Sequence, residues 1–396
     1  MSAIPKSPTD RDTADIPRNL RSKNVSFTAD SGKKPYQGRD KMLRRFWLLG
    51  LGLALAGSTV TNADENPAPT PPQQATPIYS MANVENGPCG GCGTLPGCCS
   101  STMGCNSSCG CAATAGCGGC GKLFGVIAPS DHGFSGFISP MTNPVYFEDP
   151  RTLTEARVII ANHVIPKTLG GGNVQLFAMQ ARAALTENLS IIATKDGFFL
   201  SEAPAMRSGF ADVNAGLKYN IYKDYCTQTI VSTGFTYGIP LGSHQALQGR
   251  GNGEFNLFLT GGQQIGDDWH IVSALGARLP ADNNGYSEST YFSNHLDRRL
   301  GNSGFYLFTE ANWYHWLSSG NKLNASVEGL DLFNLGSTNV TGHDIVTGGY
   351  GVKYKPNDCL EIGLAYEIPY TERRDIIQDR LTLDLLVRYL PVSGRG

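Results

Sequence analysis

The sequence predicts an all-β fold, a transmembrane antiparallel up-and-down β-barrel of about twelve strands, preceded by a disordered and Cys-rich segment. Three observations predict it. Side chains alternate between polar and apolar over long stretches, short and long connections alternate between these stretches, and an export signal precedes them. Long alternating strands with short turns at one end and longer loops at the other are typical of outer-membrane barrels.

The beginning of the chain has the composition of an exported precursor. Residues 1–41 carry nine Lys or Arg and five Asp among many Ser, Thr and Pro, which favours disorder. Residues 42–63 place basic residues before a short apolar run and then small residues, the three parts of a secretory signal peptide. We therefore expect signal cleavage near Ala63, and we interpret residues 1–41 as a mis-called start.

A Pro-rich linker at 64–88 leads to a Cys-rich segment at 89–121. Gly, Ser, Thr and Ala fill the positions between the cysteines, so this segment cannot build a core and crosslinks must supply any order. Nine of the eleven cysteines lie here and are candidates for disulfide or metal bonds: Cys89, Cys92, Cys98, Cys99, Cys105, Cys109, Cys111, Cys117 and Cys120.

Three kinds of crosslink fit these cysteines. Disulfides, within the segment or between chains, are favoured because an exported chain meets an oxidising compartment. Metal binding is the second, since Cys89-x-x-Cys92 and Cys117-x-x-Cys120 each have the spacing of half a tetrahedral thiolate site. Disulfides to other envelope proteins are the third, because an odd number of cysteines leaves at least one without an internal partner. We predict no cofactor.

We predict a linker and periplasmic lead-in at 122–152, a barrel at 153–390 and a tail at 391–396. From Leu153 onward the side chains follow a period of two. The stretch 210–221 alternates throughout, which exceeds the usual soluble strand of about 5–6 residues. An even number of strands places both ends of the barrel in the periplasm. Twelve runs of this kind begin near residues 154, 173, 189, 210, 227, 253, 269, 304, 321, 343, 359 and 378.

The connections between the predicted strands alternate in length, which indicates periplasmic turns and external loops. The short ones are rich in Asp, Asn and Gly, the residues that tight turns require, and lie at 186–188, 223–225, 266–268, 317–320 and 356–358. The longer ones lie near 166–172, 200–209, 240–252, 280–303, 331–342 and 370–377.

The polar faces of the strands are predicted to point into the lumen. Their charges have both signs, so they could line a narrow pore if spaced apart, close the interior if paired, or only brace the wall. The lumen-lining candidates are Arg182, Asp212, Asn214, Lys218, Glu254, Asn256, Arg278, Glu310, Asn312, Glu328, Lys353, Glu361, Glu367, Asp384 and Arg388.

Two stretches resemble the outer-membrane family named for the meta-pathway of phenol degradation. They are Gly209-Phe210-Ala211-Asp212-Val213-Asn214-Ala215-Gly216-Leu217-Lys218-Tyr219 and Thr233-Gly234-Phe235-Thr236-Tyr237-Gly238-Ile239-Pro240-Leu241-Gly242. The second is followed by a Gly-Asn-Gly turn at 251–253 and the strand at 254–265. The resemblance implies an outer-membrane barrel that passes small, often hydrophobic molecules. The Cys-rich segment is not part of the family pattern.

We do not predict an enzyme or a nucleic-acid-binding protein. His163, His270 and His315 lie on separate predicted strands, and none has a Ser at the spacing of a catalytic dyad. A net charge of −2 gives no electrostatic reason for nucleic-acid binding. No apolar run reaches the roughly 18 residues that a transmembrane helix needs.

Cys226 and Cys359 are the two cysteines of the predicted barrel, and each follows a short turn. We expect both to face the periplasm. They begin the fifth and eleventh predicted strands, far apart around a closed wall. A disulfide needs Cα atoms within about 7 Å, so we do not expect these two to bond to each other.

The sequence as a whole predicts a protein of the bacterial outer membrane, in contact with its lipid, with the Cys-rich segment in the periplasm. The favoured function is a passive channel or transporter for small-molecule solutes, which could be hydrophobic. The alternative is a structural anchor that the Cys-rich segment crosslinks to other envelope proteins.

Overall fold

A computed structural model of the chain describes residues 122–249, 251–282 and 284–389. The predicted segments at 1–41, 42–63, 64–88 and 89–121 lie outside the described residues, as do Ala63, the nine clustered cysteines and the tail at 391–396. No helix among the described residues is long and apolar enough to cross a membrane.

The described chain folds into one antiparallel sheet that closes on itself, because β1 pairs with both β2 and β14. The strand segments are β1 (Glu155–Val164), β2 (Asn173–Ala184), β3 (Leu189–Lys195), β4 (Phe198–Ser201), β5 (Gly209–Phe210), β6 (Val213–Asp224), β7 (Thr229–Ile239), β8 (Glu254–Ile265), β9 (Trp269–Pro280), β10 (Glu288–Arg299), β11 (Phe305–Ser318), β12 (Asp344–Asn357), β13 (Leu360–Pro369) and β14 (Asp379–Arg388).

Fourteen segments make twelve barrel strands, as the sequence predicts, because two pairs of segments each form one strand. Both β3 and β4 pair with successive parts of β2, and β6 and β5 pair with β3 and β4 in turn. The break between β3 and β4 falls at Gly197, whose φ is +121°. A Cβ there would lie 2.2 Å from the carbonyl oxygen of Phe177, so only glycine fits at this position.

Eleven of the twelve predicted strand starts lie within two residues of an observed start, and one is wrong. The strand predicted near residue 321 is part of a loop at 319–343, where the Glu328 carboxylate accepts the N–H groups of Leu335 and Ser337 at 2.9 and 2.8 Å. The chain instead forms β10 within the predicted loop at 280–303. Each face of β10 mixes polar and apolar side chains, which hides its period.

The connections alternate in length as expected, but the short turn predicted at 317–320 is wrong, because it falls at the end of β11 and in the long loop that follows it. Short ones lie at 185–188, 225–228, 266–268, 300–304 and 358–359, and the longer ones at 165–172, 202–208, 240–253, 281–287, 319–343 and 370–378. Cys226 and Cys359 lie in short connections and are exposed. They precede β7 and β13, the fifth and eleventh barrel strands, which lie on opposite sides of a wall of twelve.

The outer face of the wall is apolar and exposed. Along β14, the side chains of Leu381, Leu383, Leu385 and Val387 are 39–52% exposed, while the side chains between them are buried. An apolar surface of this size is unfavourable in contact with water but not in contact with lipid tails. This face is typical of a barrel wall that contacts lipid.

Candidate functional site

The barrel interior is occupied by a part of the chain that precedes the first strand. Every residue from 137 to 152, here called the inner segment, is buried. Its side chains and backbone contact β2, β6, β11 and β14, which lie on different sides of the wall. The inner segment therefore lies in the lumen, which corrects the expectation of a periplasmic linker for most of 122–152.

The inner segment has no regular secondary structure, so side chains of the wall bind its backbone. The Glu310 carboxylate on β11 accepts the N–H groups of Met141 and Thr142 at 2.8 and 2.5 Å. Gln180 on β2 donates to the Pro144 carbonyl at 2.7 Å. A buried backbone group without a partner is costly, so these wall residues supply what a sheet neighbour would otherwise supply.

Ion pairs hold the last part of the inner segment to the wall. The Glu148 carboxylate contacts Arg182 Nη2 of β2 at 2.6 Å and Lys218 Nζ of β6 at 2.8 Å. Arg182 also contacts Glu155 of β1 at 3.0 Å. These side chains are at most 3% exposed, and charges so deeply buried require partners.

A second ion-pair cluster joins the two ends of the sheet. Arg388 on β14 contacts Glu361 of β13 at 2.5 Å and Glu155 of β1 at 2.8 Å. It also donates to the Ser139 hydroxyl of the inner segment at 2.9 Å. Next to it, Lys353 lies 3.1 Å from Asp384 and 3.4 Å from Glu361. Arg388 thus joins the inner segment to the seam where the barrel closes.

A third cluster is a chain of two histidines and two acids across three neighbouring strands. His270 Nδ1 of β9 lies 2.8 Å from Asp297 of β10, and the other oxygen of Asp297 lies 3.2 Å from His295 Nε2. His295 Nδ1 then lies 2.7 Å from Glu310 of β11. Because Glu310 also binds the inner segment, this series of two histidines and two acids connects the wall to Thr142.

The loop at 319–343, here called the infolded loop, enters the barrel from the opposite end. Its Asp331 carboxylate contacts Arg380 of β14 at 2.9 Å, and Arg380 contacts Glu367 of β13 at 2.6 Å. Arg278 of β9 donates to its Leu330 and Phe333 carbonyl groups. The inner segment and the infolded loop together occupy much of the lumen, and most of the buried charges on the strands that surround them form ion pairs.

Most of the predicted lumen residues lie on barrel strands. Asp212 lies between β5 and β6, where it accepts the N–H groups of Gly242 and Gly249, and Glu328 lies in the infolded loop. Twelve of the other thirteen are buried, and Glu254 is partly buried. Those twelve are Arg182, Asn214, Lys218, Asn256, Arg278, Glu310, Asn312, Lys353, Glu361, Glu367, Asp384 and Arg388.

Sequence reasoning missed several buried charges of this interior. Those on strands could have been found from alternation, although the faces of β1 and β10 are mixed and obscure it. Those on the inner segment and the infolded loop have no periodicity that would signal them. The missed residues are Glu148, Asp149, Arg151, Glu155, Arg157, His295, Asp297, Asp331 and Arg380.

A cavity opens at the end of the barrel that carries the longer loops. It encloses about 500 Å³ not occupied by protein atoms, including its opening to solvent. Its charged lining residues are Lys195, Asp212, Glu254 and Arg278. Within the described part of the chain, no group of three or more His, Cys, Asp or Glu is arranged to hold a metal ion.

One acid in the longer loops is buried outside the strands. Asp375, in the connection 370–378, is 5% exposed and contacts Arg373 at 2.7 Å. Burial raises the pKa of its carboxyl to about 7, because desolvation outweighs the attraction of Arg373.

No protein-family model matches this chain, and no curated protein matches it. Solved structures of barrel proteins do. An outer membrane channel from Pseudomonas putida F1 is 12% identical with a TM-score of 0.42, and the match covers 64% of this chain and 100% of that one. The NanC porin is 8% identical with a TM-score of 0.39, covering 59% and 98%. The translocator domain of the autotransporter NalP from Neisseria meningitidis is 12% identical with a TM-score of 0.37, covering 60% and 87%. These similarities identify neither a substrate nor a partner.

Proposed function

We propose that this protein is a channel of the bacterial outer membrane for small molecules, and that the inner segment holds it closed. The observation that carries the proposal is the polar character of the contacts between the inner segment and the wall. Buried ion pairs stabilise no better than apolar packing of the same volume, so they are a poor way to fill a barrel permanently. Water can take over such contacts one by one, and an inner segment bound in this way can leave and return.

The direction of that movement follows from where the inner segment enters. Before it, Ala128 pairs with Ala184, and Ser130 N–H donates to the Tyr389 carbonyl at 3.0 Å. Both partners lie at the end of the barrel with the short connections. We infer that the inner segment withdraws toward this end, which is the periplasmic end if the longer loops are external.

Other features agree with this location and function. The signal peptide predicted at 42–63 would export the chain, and the Cys-rich segment would then lie in the periplasm. The resemblance of 209–219 and 233–242 to the phenol meta-pathway family favours small, often hydrophobic solutes.

A disulfide between the inner segment and the wall tests the proposal. A Cβ built at Gly349 of β12 lies 3.5 Å from Thr142 Cβ. Cβ atoms joined through a disulfide lie about 3.5–4.5 Å apart, so a Thr142→Cys/Gly349→Cys variant can form the bond. The first substitution also removes the Thr142 Cγ2 methyl group that a side chain at Gly349 would meet.

Single-channel currents in planar bilayers are the measurement. We expect the wild-type protein to open intermittently, the oxidised double variant to stay closed, and reduction to restore its openings. The Thr142→Cys variant alone is the matched control and should respond to neither treatment. Openings that persist in the crosslinked variant would mean that the inner segment is not the gate, and a protein that never conducts would overturn the channel itself.

The nine cysteines at 89–120 favour a second function, a structural anchor crosslinked to other envelope proteins. Its test is a non-reducing gel of intact cells that produce the full-length protein. High-mass species that disappear on reduction, together with silence in bilayers, would support the anchor and not the channel. Conducting protein that runs as a single monomer band on the same gel would reject it.

A further inference from the structure

The charged residues that line the cavity at the longer loops differ in the hydrogen bonds and ion pairs that they make. Glu254 has both oxygens occupied, by Arg278 at 2.9 and 3.2 Å, by Tyr146 at 3.0 Å and by Asn334 at 2.8 Å. Asp212 accepts two backbone N–H groups of the connection between β7 and β8, at 2.9 and 2.7 Å. Glu254 is therefore fully engaged by the protein, whereas both hydrogen bonds of Asp212 reach its Oδ1 atom.

Lys195 pairs with neither of these acids. Its Nζ atom donates to the Leu332 carbonyl of the infolded loop at 3.0 Å, and no carboxylate among the described residues lies within ion-pair distance of it. An ammonium group has three donors, so two remain for a ligand or water. A cation in a recessed site is normally matched by an acid, and neither Asp212 nor Glu254 of this cavity forms an ion pair with Lys195.

A β-bulge in β3 places Lys195 in the cavity. Thr194 is buried on the inner face of β3, so in a regular strand its neighbour Lys195 would point outward toward lipid. A β-bulge between Ala193 and Lys195 shifts the pairing with β6, where Ala193 opposes Ala215 and Lys195 opposes Asn214. Bulges re-aim side chains, and this one directs Lys195 to the infolded loop and the cavity.

We propose that Lys195 binds the carboxylate of a small anionic solute in this cavity. The inference rests on the proposed channel function and specifies the class of solute. Part of the lining suits an apolar body, since Pro240, Leu247, Pro280 and Tyr286 face the same space.

Calorimetric titration of the full-length protein in detergent tests the site without requiring transport. Benzoate is the probe, and benzamide is its neutral counterpart of the same shape. We expect benzoate to bind about 10–100-fold more tightly, the value of a hydrogen bond to a charged group. Lys195→Met should abolish this preference, and Lys195→Arg should retain most of it because the cation remains.

Lys167→Met is the matched control, because Lys167 is an exposed lysine in another of the longer connections. It should bind benzoate as the wild type does. Equal affinity for benzoate and benzamide in the wild type, no binding of either, or an unchanged preference in Lys195→Met would each overturn the proposal. A heat-dependent shift on gels, required of every variant, confirms that the barrel is folded.

Uptake of benzoate into liposomes separates this inference from the proposed function. If Lys195→Met loses binding while no variant or wild type transports benzoate or benzamide, the anion site stands and the channel fails. If the wild type transports both solutes equally and Lys195→Met changes nothing, the channel stands and the anion site fails.

Discussion

His295 Nδ1 lies 2.7 Å from Glu310 Oε1, and both side chains are fully buried on neighbouring strands. The same carboxylate accepts the N–H groups of Met141 and Thr142. One acid thus receives hydrogen bonds from the wall on one side and from the inner segment on the other. Its negative charge therefore joins the wall and the inner segment.

Glu310→Gln should loosen the inner segment without removing any volume. The amide keeps a single acceptor oxygen, and its NH₂ group faces backbone N–H donors that it cannot bind. Removing one member of a buried ionic pair costs about 3–5 kcal/mol. We expect faster hydrogen exchange across 137–152 and more frequent openings in bilayers. The control is Asp268→Asn, which breaks the half-exposed Arg299–Asp268 pair and should change neither.

The pairs around Glu148 predict an order of effects. Glu148→Gln leaves both Arg182 and Lys218 without their shared acid, whereas Lys218→Met leaves Glu148 with its 2.6 Å contact to Arg182. We therefore expect Glu148→Gln to lower the free energy of unfolding by about 3–5 kcal/mol and Lys218→Met by less. Urea unfolding in lipid vesicles, followed by gel mobility, measures both. A larger loss in Lys218→Met would contradict this account of the cluster.

The wall could be predicted from the sequence because its information is local. In a strand with lipid on one side, every second residue must be apolar, and runs such as 210–221 display this directly. The local pattern also predicts one strand wrongly. Leu323, Ala325 and Val327 alternate with polar residues, but they lie in a loop whose turns donate hydrogen bonds to Glu328. The strand β10 was missed because Tyr291 faces inward and Asn294 outward, so neither face is uniform.

The inner segment could not be predicted because nothing within it signals its place. Its backbone is satisfied by Glu310, Gln180 and other side chains distant in sequence, and only the closed wall brings these together. The same holds for Lys195, whose place in the cavity no local sequence pattern signals. A bulge changes the face of the strand on which a side chain lies, and alternation alone places Lys195 on the outer face.

Gly197→Ala should impair assembly of the barrel. The φ of +121° is unfavourable for any residue with a side chain, and the added Cβ would lie 2.2 Å from a carbonyl oxygen of β2. Backbone strain alone costs about 1–3 kcal/mol, and the overlap adds to it. Gly266→Ala is the control, since its φ is +62° and a Cβ there meets nothing within 4 Å. Heat-dependent gel mobility should decline in the first variant and persist in the second.

Asp375 should make the connection at 370–378 respond to pH. Its carboxyl has a pKa of about 7 in the folded protein, above the value of about 3.9 expected when unfolded. A raised pKa in an acid means that the folded state binds the proton more tightly, so this stabilisation is complete at low pH and is lost as pH rises from about 4 to 7. We expect stronger protection from hydrogen exchange in this connection at pH 5.5 than at pH 8, after correction for the intrinsic exchange rate.

Asp375→Asn separates this titration from other effects of pH. The amide is neutral throughout, so protection in the connection should remain near its low-pH level at both pH values. Arg373, which contacts Asp375 and also lies over the Trp316 ring at 5.3 Å, would keep its aromatic contact in the variant. Equal pH dependence in the wild type and the variant would assign the response to another group, such as His343, which lies 2.8 Å from Arg373.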